Sequence, residues 1–164
     1  MHIHIIGFSE KETKRLQKTV PRLCEIVLED DCSKINTLHI VRTLPVLNWR
    51  YGFLYLWYPK NQFSEIRLPA DYTNQYYIEY LIAHELVHIR QLMSGELKLL
   101  ARLNHYEIEF RGKSYVSSTS GATWRDMAGH RYFVNDSQGD IPWEKEPIEK
   151  ANMCLKLFQT KKLR

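Results

Sequence analysis

The chain has 164 residues, 44% of them apolar and 26% charged, with a formal charge of +4, the size and balance of one globular domain over residues 1–164 whose core needs no disulfides. No run approaches the about eighteen apolar residues of a membrane span, and Met1-His-Ile-His-Ile-Ile-Gly7 lacks the basic leader of a secretion signal, so membrane insertion is not expected and a cytoplasmic location is. Cys24, Cys32 and Cys154 are widely spaced without a Cys-x-x-Cys, which argues against a disulfide framework, and the scattered basic residues fit a solvated surface better than a nucleic-acid footprint.

His2 to Ile6 alternates between His and Ile and reads as a short strand with His2 and His4 on one side. Ser9-Glu-Lys-Glu12 is a capping box that opens a helix, whose apolar stripe includes Leu16, Val20, Leu23, Cys24, Val27 and Leu28. Pro21 either kinks this helix or splits it. Ile35 to Val41, the strongly aromatic Asn48 to Pro59, and Phe63 to Leu68 read as strands joined through hairpins into an antiparallel or mixed sheet. Glu65 and Arg67 fall on one side of the last strand, the pattern of a solvated face or a sheet edge, and an edge ahead of the next helix can receive a peptide substrate as an added strand.

Asp71 or Thr73 is expected to cap that next helix, which ends at Ser94-Gly95. Glu96 to Leu103 has the spacing of a further helical turn or two. His105 to Ser117 reads as a hairpin turning at Gly112, and Ala122 to Tyr132 as a short helix. A last helix has Pro147 in its first turn and an apolar face at Ile148, Ala151, Leu155 and Phe158, with Met153 and Leu157 lined up behind Glu149. A carboxylate at Glu149 is therefore at the rim of the core or bound to something.

The segment Tyr76 to Gln91 carries His84-Glu85-Leu86-Val87-His88 at its centre. On a helix the two His lie on one face and can reach one metal, while Glu85 sits about 100° round and can hold a water beside it. A zinc hydrolase uses such a set, with two His, a third protein ligand and one open position, and Glu85 would be the general base. Without metal, two His and a Glu buried among Ile78, Leu81, Ile82, Leu86 and Ile89 would be costly. A helix without metal, or a zinc-stabilised binding or structural protein with no need of Glu85, is the alternative. For the third ligand the residues leave Glu149, Glu146, His105 and the more remote His130 open. Glu146 can instead accept a His ring N–H. Tyr132 and His130 are the first choices for stabilising a developing oxyanion, because their segment lies between the two helices, with Arg131, Tyr106 and His105 behind them.

His84-Glu-Leu-Val-His88-Ile-Arg-Gln91, followed by Trp143-Glu-Lys-Glu-Pro-Ile-Glu-Lys-Ala-Asn152, resembles the small zincin-like metallopeptidase domains of the glutamate type, including compact ones met in phages and bacteria. The resemblance covers Tyr76 to Gln91 and Trp143 to Leu157. It implies an α+β minimal zincin-like domain, with a small antiparallel or mixed sheet packed on the HExxH helix and a C-terminal helix. It also implies a zinc cofactor (Zn2+), a protein or peptide substrate, His84, His88 and Glu149 as ligands, Glu85 as catalytic residue, and Ala151 as the small residue that lets the helices approach. If such a domain is phage-encoded, its setting is the host cytoplasm. Glu149-Lys-Ala151 departs from the usual ExxxD or ExxA spacing, so Glu149 and Glu146 both stay open. A second resemblance, to the DNA-associated minimal metalloproteases, rests on His105 and implies it as third ligand and nucleic acid as a partner. Residue 106 is Tyr where those proteins have Gly.

Overall fold

Ser9 does what the capping box predicts. Its hydroxyl accepts from the amide of Glu12, whose carboxylate accepts from the amide of Ser9 at 3.0 Å, and helix α1 (Glu10–Leu28) begins there. Pro21 stands inside this helix without splitting it. Leu16 and Val20 before it, and Leu23, Cys24, Val27 and Leu28 after it, are all buried in one core, so tertiary packing on both sides outweighs the lost backbone hydrogen bond. The computed structural model describes residues 1–43, 54–58, 60, 62–70, 73–101, 106–117, 123–133 and 140–161.

A first sheet contains β1 (His2–Ile6), β2 (Thr37–Thr43), β3 (Leu54–Tyr58) and β4 (Phe63–Pro69) in the order β1-β2-β4-β3. It is mixed. β1 with β2 and β2 with β4 run parallel, and β3 runs antiparallel to β4. Of the hairpin pairings expected among the three later strands, β3 with β4 is antiparallel as expected, whereas β2 lies beside β4 in parallel and not beside β3; α1 carries the chain from β1 to its parallel partner β2 as a crossover, which a parallel pair requires. One face turns Leu38, Ile40, Ser64, Ile66 and Leu68 inward. The other carries the row His4, His39, Glu65. β4 is thus interior to the sheet, and the side shared by Glu65 and Arg67 marks a solvated face. Among the described residues the edge next to it is β3.

Helix α2 (Gln75–Ser94) is capped by Asn74, whose Oδ1 accepts from the amides of Tyr76 at 3.0 Å and Tyr77 at 3.3 Å. Thr73 does not take that role, and Asp71 lies outside the described residues. Gly95, at φ 76°, ends the helix in the left-handed conformation that favours glycine. α2 packs against α1, β3, β4 and the last helix, α3 (Lys145–Lys161), in a core that includes Leu23, Ile40, Ile66, Ile82, Leu86 and Ala151.

A second, antiparallel sheet follows α2, with β5 (Leu97–Ala101), β6 (Tyr106–Phe110), β7 (Lys113–Ser117), β8 (Thr123–Asp126) and β9 (Arg131–Phe133) in sequence order. The β6–β7 hairpin turns at Arg111-Gly112, both with positive φ, as the predicted turn requires. Two expected helical segments are strands instead. Leu97 and Leu99 pair with Phe110 and Ile108, and Trp124 pairs with Tyr132, so apolar partners across the ladder outweigh helical spacing. Met127, one of the residues that suggested the second helix, is at the exposed β8–β9 turn. Leu97, Ile108, Phe110, Tyr115, Ile141 and Trp143 form a second core. This core clamps the turn that leads into α3, and with it the residue next to Trp143.

Candidate metal centre

α2 is apolar on almost every side, so it is buried on almost every side and carries its polar residues inward with it. His84, Glu85, His88 and Gln91 are all buried. The four-residue spacing brings the Nε2 atoms of His84 and His88 to 3.2 Å. Glu144, in the turn after Trp143, places Oε2 at 3.0 Å from the first and 3.3 Å from the second. Ligands about 2.0–2.1 Å from a tetrahedral zinc stand about 3.3 Å apart. The three donors therefore fit such an ion by separation and by type, and two His with one carboxylate is a set that leaves a coordination position open.

The electrostatics follow from crowding these groups in a dry site. Burial pushes the pKa of Glu85 up to about 8, with His88 opposing the shift and Glu144 adding to it. Burial lowers His84, and Glu144 partly offsets the effect. Burial would lower His88 too, but the Glu144 carboxylate, with Glu85 and the Gln91 hydrogen bond adding to it, raises that imidazole. Burial alone would raise Glu144, yet the two imidazoles hold it far below the usual carboxylate range. Within this site Glu85 Oε2 and His84 Nδ1 are buried without a hydrogen-bond partner among the described residues. A buried oxygen of this kind, next to a metal-ligand trio, is suited to hold a water or a substrate group.

Gln91, one turn beyond His88, completes the support. Its Oε1 accepts from Nδ1–H of His88 at 3.0 Å, which leaves the His88 Nε2 lone pair for a metal. Its Nε2 donates to the Trp143 carbonyl at 3.3 Å and to Glu146 at 3.4 Å. Arg90 also pairs with Glu146. One side chain thus orients a ligand and ties α2 to the turn that presents Glu144.

Glu144, and not Glu149, is the carboxylate that joins the two His. Pro147, Ala151 and Cys154 mark the buried side of α3, and Glu149 is about 200° round from both Pro147 and Ala151, in solvent. The stripe behind Glu149 is outside as well, with Met153 39% and Leu157 40% exposed. Glu146 is engaged by Arg90 and Gln91, and Gln91 provides the His-ring contact considered for it. His105 lies outside the described residues. His130 is exposed, and its Nδ1–H donates to Asp126 at 3.0 Å. Tyr132 donates its hydroxyl to the same carboxylate at 3.2 Å, so Asp126 gathers both on the β8–β9 hairpin, outside the His84, His88 and Glu144 cluster.

Three residues at or beside the site were not singled out by sequence. Gln91 is three residues beyond His88, on the same face of the helix, a spacing that could have pointed to it. Tyr80 is four before His84, and its ring centroid is 6.2 Å from the His84 ring, with burial raising its hydroxyl pKa. Glu144 carried no local signal beyond following a large aromatic residue.

Two buried imidazoles, the glutamate beside the first of them and a distant glutamate in one cluster make the HExxH-type zincin arrangement, the geometry of a glutamate-assisted zinc metallopeptidase site on a small α+β fold. No family model, curated protein or solved structure matches the chain.

Proposed function

We propose that this protein is a zinc-dependent peptidase, built as one domain, that hydrolyses peptide bonds with Glu85 as general base. The observation that carries the reading is the convergence of His84 Nε2, His88 Nε2 and Glu144 Oε2 within 3.0–3.3 Å of one another, beside a buried Glu85 with an unpaired oxygen. His84, His88 and Glu144 would hold the ion, which when bound supplies Lewis-acid polarisation of the scissile carbonyl and a lowered pKa for water. Glu85 takes the proton of the attacking water as the new C–O bond forms, and gives it to the amine nitrogen as the C–N bond breaks. Gln91 keeps His88 in one tautomer throughout.

The substrate is a protein or peptide, and strand β3 supports the way it binds. β3 is an edge of the first sheet among the described residues and packs against α2, so an extended peptide can pair with it and pass the metal ligands. No helix of the described residues is long and apolar enough to cross a membrane. Cys24, Cys32 and Cys154 are all free, in keeping with work in the reducing cytoplasm.

The test is Glu85→Gln. The variant should bind zinc like wild type and cleave unfolded casein about 10²–10⁴-fold more slowly. Cleavage at the wild-type rate removes Glu85 from the chemistry, and a zinc-loaded wild type that cuts neither casein nor a random peptide pool makes the centre structural.

A further inference from the structure

A cavity of about 520 Å³ lies between α1, the first turns of α2 and the far end of α3, lined by Lys14, Arg15, Lys18, Arg22, Glu79 and Phe158 among others. Its charge is lopsided, with four cations against one carboxylate. That carboxylate is already used. Glu79 is buried and takes Nε of Arg15 at 2.9 Å and a second guanidinium nitrogen at 2.7 Å, a pair that fastens α1 to α2. Lys14 has an exposed partner in Glu10, a contact of the weak solvated kind. Lys18 and Arg22 are exposed and have no carboxylate partner among the described residues. Lys14, Lys18 and Arg22 are spaced by four, so α1 presents a row of like charges one turn apart that repel one another.

We infer that this groove is an exosite for an acidic, extended segment of the protein substrate, away from the scissile bond. The spacing is complementary. Residues four apart on a helix are about 6 Å apart along its axis, and alternate residues of an extended chain are about 6.6 Å apart on one side. Acidic side chains at alternate positions therefore meet Lys14, Lys18 and Arg22 in turn, over a groove about 12 Å long. Phe158 and the alkyl stems of the basic side chains give the segment an apolar floor. The groove is distinct from the metal centre. Glu79 precedes His84 by five residues and points about 140° away from it round α2, toward α1. A substrate held there is selected by charge and not by the sequence it presents to Glu85.

The inference rests on the peptidase reading for the word substrate, but its test does not use turnover. The full chain bearing Glu85→Gln is titrated with a fluorescein-labelled peptide alternating Glu and Ala, and binding is read by anisotropy at low and physiological salt. The peptide should bind, with affinity falling as salt rises. Its Gln-for-Glu counterpart should bind at least about tenfold more weakly, and Lys18→Glu with Arg22→Glu should weaken the acidic peptide by at least about tenfold at an unchanged Tm. In the active protein the same double variant should cleave neutral short peptides at the wild-type rate. Absence of binding, equal binding of the Gln peptide, or full binding by the double variant overturns the exosite. Tighter binding of an oligothymidylate with the same number of charges also overturns it, and makes a nucleic acid the occupant. A protein that binds the acidic peptide but cuts nothing refutes the peptidase reading and leaves the acidic-ligand site in place.

Discussion

Replacing Glu144 with Ala removes the carboxylate oxygen that lies 3.0 and 3.3 Å from the two ring nitrogens, and leaves two imidazoles to hold a metal alone. Losing a group that only orients a ligand costs 10–100-fold in metal affinity in comparable sites. Losing the ligand itself should cost more, so at least about 100-fold, or about 2.8 kcal/mol, is expected here. Glu149→Ala is the matched control. Glu149 is exposed, alanine is the better helix former, and the change should leave stability within about 0.5 kcal/mol and zinc binding intact. Zinc per chain, measured by elemental mass spectrometry on untagged protein, and Kd, measured by competition with a chromophoric chelator, read both variants. Stoichiometric zinc at the wild-type Kd in Glu144→Ala would refute the reasoning, as would loss of zinc in Glu149→Ala.

The supporting residues make further predictions. Gln91→Leu keeps the side-chain bulk but removes the acceptor for His88, and should weaken zinc binding about 10–100-fold; an unchanged Kd would show that Gln91 only packs. Hydrogen bonds from Arg42 hold the Glu12 carboxyl down from 4.5 to about 2, against a burial effect that raises it, with Ser9 adding to the lowering. A depressed carboxylate stabilises the fold above its unfolded pKa and loses that contribution as pH falls from about 4.5 through about 2. In urea titrations between about pH 6 and about pH 2, wild type should therefore lose about 2 kcal/mol more than Arg42→Met. Equal acid losses would contradict it. Ala151 is fully buried where α3 packs on α2, so Ala151→Leu should cost about 1–3 kcal/mol and reduce zinc affinity by shifting the turn that bears Glu144; a cost below about 0.5 kcal/mol would mean the helices do not need a small residue there.

Much of this molecule is legible one turn at a time. The Ser9 capping box, the left-handed stop at Gly95, the Arg111-Gly112 turn and Pro147 in the first turn of α3 all depend on residues within about four positions of one another, and their geometry is settled locally. The His84 and His88 pair belongs with them. A helix through an apolar-periodic segment puts both rings on one face whatever surrounds it, and that was enough to infer a metal centre.

The segments that failed are those whose state depends on distant partners. Glu96 to Leu103 and Ala122 to Tyr132 have spacings compatible with helix, and their described parts include strands because Leu97 is buried in the Trp143 cluster, with Trp124 and Tyr132 packed against it. The third ligand is the clearest case. Glu144, Glu146 and Glu149 stand within one short stretch, 56 residues or more beyond His88, and any of them has the right chemistry. Trp143 buried under the second sheet, Gln91 bonded to its carbonyl, and Ala151 against α2 fix the rotation of that stretch. At that rotation Glu144 faces the imidazoles, Glu146 meets Arg90, and Glu149 points to solvent. Sequence by itself determined that this protein carries a buried His pair with a glutamate beside it. Only packing between residues far apart in the chain could decide which carboxylate completes the site, because no local rule sets how far a helix is turned about its own axis.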